Sequence, residues 1–162
     1  MKSQNGMTLT EIMIAMSILV ILAGGIIAGV FAVRADAENN LYESASLNAA
    51  ISFLEQTKSE NYDDLGDPPT NGSGQRILNY IVGFKEFLDV PLSTDTVINV
   101  PIISDEDGEV KKDLDVTINI DISASTDLNG YWITVAYSWD HPTTDRSYSG
   151  EVRGFRSEVS TY

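Results

Sequence analysis

The sequence predicts an α+β fold: one long N-terminal α-helix whose second half packs on a C-terminal antiparallel β-sheet. Three observations predict it. Residues Ile12 to Val33 form an apolar run without a single formal charge. Sequence free of Gly and Pro then continues from Ala35 to about Glu60. Finally, apolar and polar residues alternate with period two in the last third of the chain, between clusters of turn residues.

The apolar run has 22 residues. As a helix it spans about 33 Å, which matches a hydrocarbon core of about 30 Å. It is apolar all the way round, whereas a core helix of a soluble protein is apolar on one stripe. A secretory signal peptide has a shorter apolar core and a small-residue junction after it. Here the best small-residue junction, Gly6, comes before the run. The segment therefore reads as a membrane helix. The acidic bulk of the chain follows it, with Lys2 before and Arg34 after, so the expected orientation is N-in and C-out. Glu11, near the start of the helix, is costly in lipid unless it is paired, and is a functional candidate for that reason.

The leader Met1-Lys2-Ser3-Gln4-Asn5-Gly6, then Met7-Thr8-Leu9-Thr10-Glu11, then Ile12-Met13-Ile14-Ala15-Met16 resembles the type IV prepilin signal. The family usually has Phe where Met7 stands and an aliphatic residue where Thr10 stands. The resemblance implies that a prepilin peptidase cuts between Gly6 and Met7 and methylates the new amine of Met7. It also implies that Glu11 meets such an amine, its own or a neighbour's, and so sets register during assembly. On a helix, groups four residues apart share a face, which places Met7 and Glu11 together. Gly25 and Gly29 form a small-xxx-small pair; with Gly24 they suit either close helix–helix approach or local softening.

Beyond Arg34, the spacing of Leu47, Ala50, Ile51 and Leu54 predicts a stripe that packs on the domain. The resulting helix runs from about Thr8 to Ser59. Its end, through Tyr62-Asp63-Asp64-Leu65, resembles the same region of minor pilins and pseudopilins. Residues 66–74 are turn chemistry throughout. Ile77, Ile81, Phe84 and Leu88 predict a short amphipathic helix, closed by Pro91. A strand is expected over Val97 to Ile103. Val116, Ile118, Ile120 and Ile122 form one face of a second strand, followed by a turn at Thr126 to Gly130. Tyr131, Ile133, Val135, Tyr137 and Trp139 share one face of a third, and Ser147 to Phe155 returns as a fourth. Such a meander has one apolar face, and the helix is its expected cover. The hairpin around Tyr137-Ser138-Trp139 and Arg146-Ser147-Tyr148 resembles that of minor type IV pilins and type II secretion pseudopilins. The expected organisation is a cleaved leader (1–6), a transmembrane and assembly half-helix (7–33), a periplasmic half-helix (34–65) and a globular region with the sheet (66–162).

Composition narrows function further. The chain has 162 residues, 43% hydrophobic and 21% charged, with a net charge of −14. Lys2 and Glu11 cancel, so the whole negative balance lies beyond the membrane run. A domain this acidic repels phosphate backbones, and no nucleic-acid binding is predicted. With no cysteine and one histidine, disulfides, thiolate zinc sites and multi-His metal sites are excluded.

Three other groups are candidates. Asp105-Glu106-Asp107-Gly108-Glu109 offers Asp105 and Asp107 as calcium ligands, but the run fails the EF-hand spacing and reads as an acidic turn. His141, with Asp140, Ser138 and Ser147 near it in sequence, lacks nucleophile-elbow glycines and reads as a solvated turn residue. Trp132 faces away from the other strand aromatics and is the one to test for partner contact.

Together these readings predict a non-enzymatic, cofactor-free structural subunit. The resemblance implies its partners: a prepilin peptidase, other pilin or pseudopilin subunits, an inner-membrane assembly platform and the lipid bilayer. It implies residence in a bacterial inner membrane and then in a filament, either a type IV pilus or a type II secretion pseudopilus. The alternative is a single-pass anchored binding protein that never assembles and keeps its acidic β-domain exported.

Overall fold

The computed structural model describes residues 8–82, 86–104, 110–142 and 144–158. Helix α1 runs from Leu9 to Ser59, followed by the short helix α2 (Tyr62–Gly66). Among the described residues six strands follow: β1 (Ile77–Val82), β2 (Glu86–Pro91), β3 (Thr96–Ser104), β4 (Val110–Ala124), β5 (Gly130–Asp140) and β6 (Ser147–Ser157). All pairings are antiparallel. β1 and β2 form a two-stranded sheet, and β3-β4-β5-β6 form a four-stranded meander. The fold is α+β with a pilin-like arrangement: a long N-terminal helix, then antiparallel sheets.

The chain divides within α1 into two units, Met1–Asn40 and Leu41–Tyr162. In the first, every described residue from Thr8 to Glu38 is exposed, on a helix with no core of its own.

The second unit holds the core. Leu114, Val116, Ile118 and Ile120 of β4 alternate inward, and Ile133, Val135 and Trp139 of β5 meet them. Tyr131 and Tyr137 share that face, half-buried. The part of α1 from Leu41 onward covers the sheet. Its buried seam is Tyr42, Ser46, Ala50, Phe53, Leu54 and Thr57. The expected stripe is only half right: Ala50 and Leu54 are in the core, Leu47 is half-buried, and Ile51 is 41% exposed. The seam passes through Ser46 and Thr57, which carry no hydrophobic signal. Both hydroxyls donate to the carbonyl four residues back, Ser46 to Tyr42 (2.8 Å) and Thr57 to Phe53 (2.7 Å), which satisfies them without water.

Residues 77–91 correct the sequence expectation. Instead of a short helix, residues 77–82 and 86–91 form the paired strands β1 and β2, with Ile77 opposite Pro91 and Tyr80 opposite Leu88. The helical spacing of Ile77, Ile81 and Leu88 is coincidental; Phe84 and Gly83 lie outside the described residues. The pattern that decides is Leu78, Tyr80 and Val90, which alternate inward with Asn79 and Asp89 outward. Tyr80 packs on Phe53 at 4.8 Å between ring centroids, and its hydroxyl shares a 2.7 Å bond with Thr57. Burial pushes the Tyr80 phenol far above its ordinary range, so it remains neutral.

Gly130 opens β5 where no side chain fits. A Cβ there would overlap the Arg156 carbonyl oxygen and lie 2.5 Å from the Phe155 ring. Because one obstacle is backbone, Gly130→Ala is expected to destabilise the second unit by about 1–3 kcal/mol. Thermal unfolding followed by near-ultraviolet circular dichroism checks this.

Candidate functional site

The N-terminal segment is the candidate site, and its described part begins at Thr8. Thr8 is the residue before α1, and its carbonyl accepts the first helical bond, from Ile12 N–H at 3.3 Å. Glu11 is the third residue of the helix. Its Oε2 accepts from Thr8 N–H at 2.9 Å and from the Thr8 hydroxyl at 3.0 Å. In return, Glu11 N–H donates to Thr8 Oγ1 at 3.3 Å. These reciprocal bonds make a capping box. They satisfy amides that a helix start leaves without partners, and they place a negative charge at the positive end of the helix dipole. In the sequence Glu11 stands out by its charge, whereas Thr8 carries no such mark. The signal was present: Thr-x-x-Glu ahead of an apolar run is a helix-start signature.

Gly6 and Met7, the expected cleavage and methylation positions, lie outside the described residues. So do the calcium candidates Asp105 and Asp107.

Beyond the cap, α1 is long and apolar enough to cross a membrane, and none of its most apolar stretch is buried within the chain. Ile12, Met13, Leu19, Ile21, Ile26, Phe31 and Val33 are all exposed. Ser17, within the run, donates its hydroxyl to Met13 O at 2.9 Å and so needs no other partner in an apolar medium. A Cβ added at Gly24, Gly25 or Gly29 meets nothing within 4 Å. Packing inside this chain therefore does not require these glycines. Any close approach they serve is to another helix.

Two further candidates sit in the second unit. His141 does lie in a turn, with its N–H donating to Arg146 O at 2.9 Å. It is half-buried, however, not solvated: its ring stands edge-on to Tyr42 at 5.5 Å and lies 6.3 Å from Trp139. The Tyr42–Trp139 pair (5.5 Å) and the Trp139–Tyr148 stack (4.4 Å) continue this aromatic group. Trp132 points to the outer face of the sheet and is 39% exposed, beside Phe155 at 5.0 Å. The Arg153 guanidinium lies over its ring at 5.8 Å.

No curated protein and no solved structure matched in comparisons with this chain. Among family models, the prokaryotic N-terminal methylation motif matches residues 1–27. That stretch includes Gly6, Met7, the Thr8–Glu11 cap and most of the apolar run. The N-terminus of this chain thus carries the prepilin-type signal of type IV pilins and pseudopilins.

Proposed function

We propose that this protein is a structural pilin or pseudopilin subunit, cut after Gly6 by a prepilin peptidase, methylated on Met7, and assembled through α1 into a filament. The observation that carries the reading is the methylation motif at residues 1–27, joined to a helix that Thr8 and Glu11 cap at its start and whose apolar N-terminal stretch is exposed. The helix first holds the subunit in a bacterial inner membrane, with the acidic domain on the far side. It then leaves lipid by packing against other such helices, which cover the apolar surface that the chain itself leaves open. The role is assembly and involves no catalysis by this chain. On this reading residues 1–6 are the leader, 7–33 the membrane and assembly segment, 34–65 the rest of the helical region, and 66–162 the globular region. The filament is a type IV pilus or a type II secretion pseudopilus.

Processing tests this directly. Co-expression of the full chain with a prepilin peptidase is expected to give a product that starts at N-methylated Met7, by intact mass and N-terminal sequencing. A chain that keeps residues 1–6 under conditions where a known prepilin is cut would leave the non-assembling anchored protein as the better account.

A further inference from the structure

The chain holds three Asn-Gly pairs, Asn5-Gly6, Asn71-Gly72 and Asn129-Gly130, of which the first lies outside the described residues. In such a pair the glycine nitrogen, unhindered by a Cβ, can attack the asparagine side-chain carbonyl carbon. The fold treats the two described pairs differently. Asn71 opens an exposed turn between α2 and β1. Its N–H donates to Gln75 O at 2.8 Å, and its carbonyl accepts from Gly74 N–H at 2.9 Å, which closes a tight loop. The Asn71 side chain folds back on that loop: Oδ1 accepts from Ser73 N–H and from Gln75 N–H, both at 3.0 Å. The bond to Ser73 closes a ring of which the Gly72 nitrogen is a member, so Cγ is held beside it. The Gly72 N–H makes no hydrogen bond to another described residue. Gly72 is exposed, and an added Cβ there meets nothing within 4 Å. Asn129 is held otherwise. Gly130 is buried at the start of β5, crowded by the Arg156 carbonyl and the Phe155 ring. Asn129 O accepts from Glu158 N–H at 3.3 Å, and Asn129 Nδ2 donates to the Glu158 carboxylate.

We propose that Asn71 is a self-modification site: in the folded protein it converts to aspartate and isoaspartate through a succinimide formed with Gly72. The Gly72 nitrogen gives its proton to solvent hydroxide and bonds to Cγ, and the negative charge that develops settles on Oδ1. That oxygen already has two backbone donors at 3.0 Å, a distance at which preformed donors stabilise an oxyanion. Nδ2 takes a proton from water, its bond to Cγ breaks, and it leaves as ammonia. Its bond to Gln75 Oε1, at 3.3 Å, is long and holds it loosely. Water then opens the succinimide at either carbonyl. The net exchange is water for ammonia, with nothing oxidised or reduced. At Asn129 a carboxylate stands beside the amide where the charge would grow, and Gly130 is fixed in its strand; both raise the barrier. Conversion at Asn71 adds one carboxylate to a chain whose net charge is −14. An α-linked aspartate keeps both N–H bonds, now charge-assisted. Isoaspartate inserts an extra carbon into the backbone and loosens the Thr70–Arg76 bridge that the loop closes. The turn thus gives the second unit an age-dependent charge and loop shape. The proposal rests neither on cleavage at Gly6 nor on assembly.

The experiment incubates the full-length protein in detergent micelles at neutral pH and physiological temperature. Peptide mapping by mass spectrometry follows each Asn-Gly pair separately. Asn71 is expected to give both products, with isoaspartate in excess. It is expected to convert on the order of tenfold faster than Asn129, a barrier difference of about 1.4 kcal/mol. In the guanidinium-unfolded chain the two pairs are expected to convert alike, which assigns the native difference to the fold. Gly72→Ala is expected to slow conversion at Asn71 on the order of tenfold. That variant keeps the fold, because its added Cβ meets nothing and the positive φ of this turn belongs to Gly74. Equal native rates at Asn71 and Asn129 overturn the proposal, as does a rate at Asn71 that folding lowers as far as it lowers that of Asn129. Aspartate without isoaspartate, undiminished in Gly72→Ala, also overturns it, by giving the change to direct hydrolysis.

Discussion

Phe53→Ala is expected to remove about 3–5 kcal/mol from the stability of the second unit. A domain of this size has about 5–15 kcal/mol in total, so the loss is a large share of it. Phe53 is 3% exposed and sits where α1 meets the β1–β2 sheet. Its ring contacts Tyr80 of β1, its carbonyl accepts the Thr57 hydroxyl, and that hydroxyl also binds Tyr80. The cavity left by alanine would open beside a buried polar pair that has no route to water. Ile51→Ala, two residues away on the same helix, is the internal comparison. Ile51 is 41% exposed, and its truncation is expected to cost within about 0.5 kcal/mol. Chemical unfolding of the two variants separates the two costs. Equal losses would mean that the helix presents a different face to the sheet.

That comparison also marks how much of the fold was legible. The long helix, β3 through β6 and the inward face of β5 follow from apolar spacing alone, because burial there involves apolar residues almost without exception. The seam of α1 does not follow from it. Ser46 and Thr57 are fully buried, and their hydroxyls are satisfied by their own helix, so a count of apolar positions slides the stripe toward Ile51. Strands β1 and β2 are hidden in the sequence for a related reason. Six-residue strands are too short for period two to outweigh a chance helical spacing, and Tyr80 counts as core only because Thr57 meets its hydroxyl. At the candidate site the motif was readable residue by residue. The Arg153–Trp132 pair was not, because a cross-strand neighbour depends on register, which the turn between β5 and β6 sets.

Glu11→Ala is expected to leave cleavage after Gly6 largely intact and to reduce filament incorporation on the order of tenfold or more. The capping box makes a sharper version possible. Glu11 serves its own helix through Oε2, and a carboxylate has about four lone-pair sites. The cap therefore leaves acceptor capacity for the amine that processing would create at Met7, next to Thr8. A charge-assisted bond of that kind contributes about 1.5–3 kcal/mol, so its loss at every subunit contact suffices for the expected defect. Cap and charge are separable by Glu11→Gln, because glutamine at this helix position also completes a capping box. If Glu11 sets register through its charge, the Gln variant is processed like the parent yet fails to assemble, as Ala does. If the cap is what matters, Gln assembles normally and Ala does not. The readouts are the ratio of cut to uncut chain in membranes and the amount of each variant in sheared filaments. Parent-like incorporation of both variants would remove Glu11 from assembly and leave it as the start of a helix.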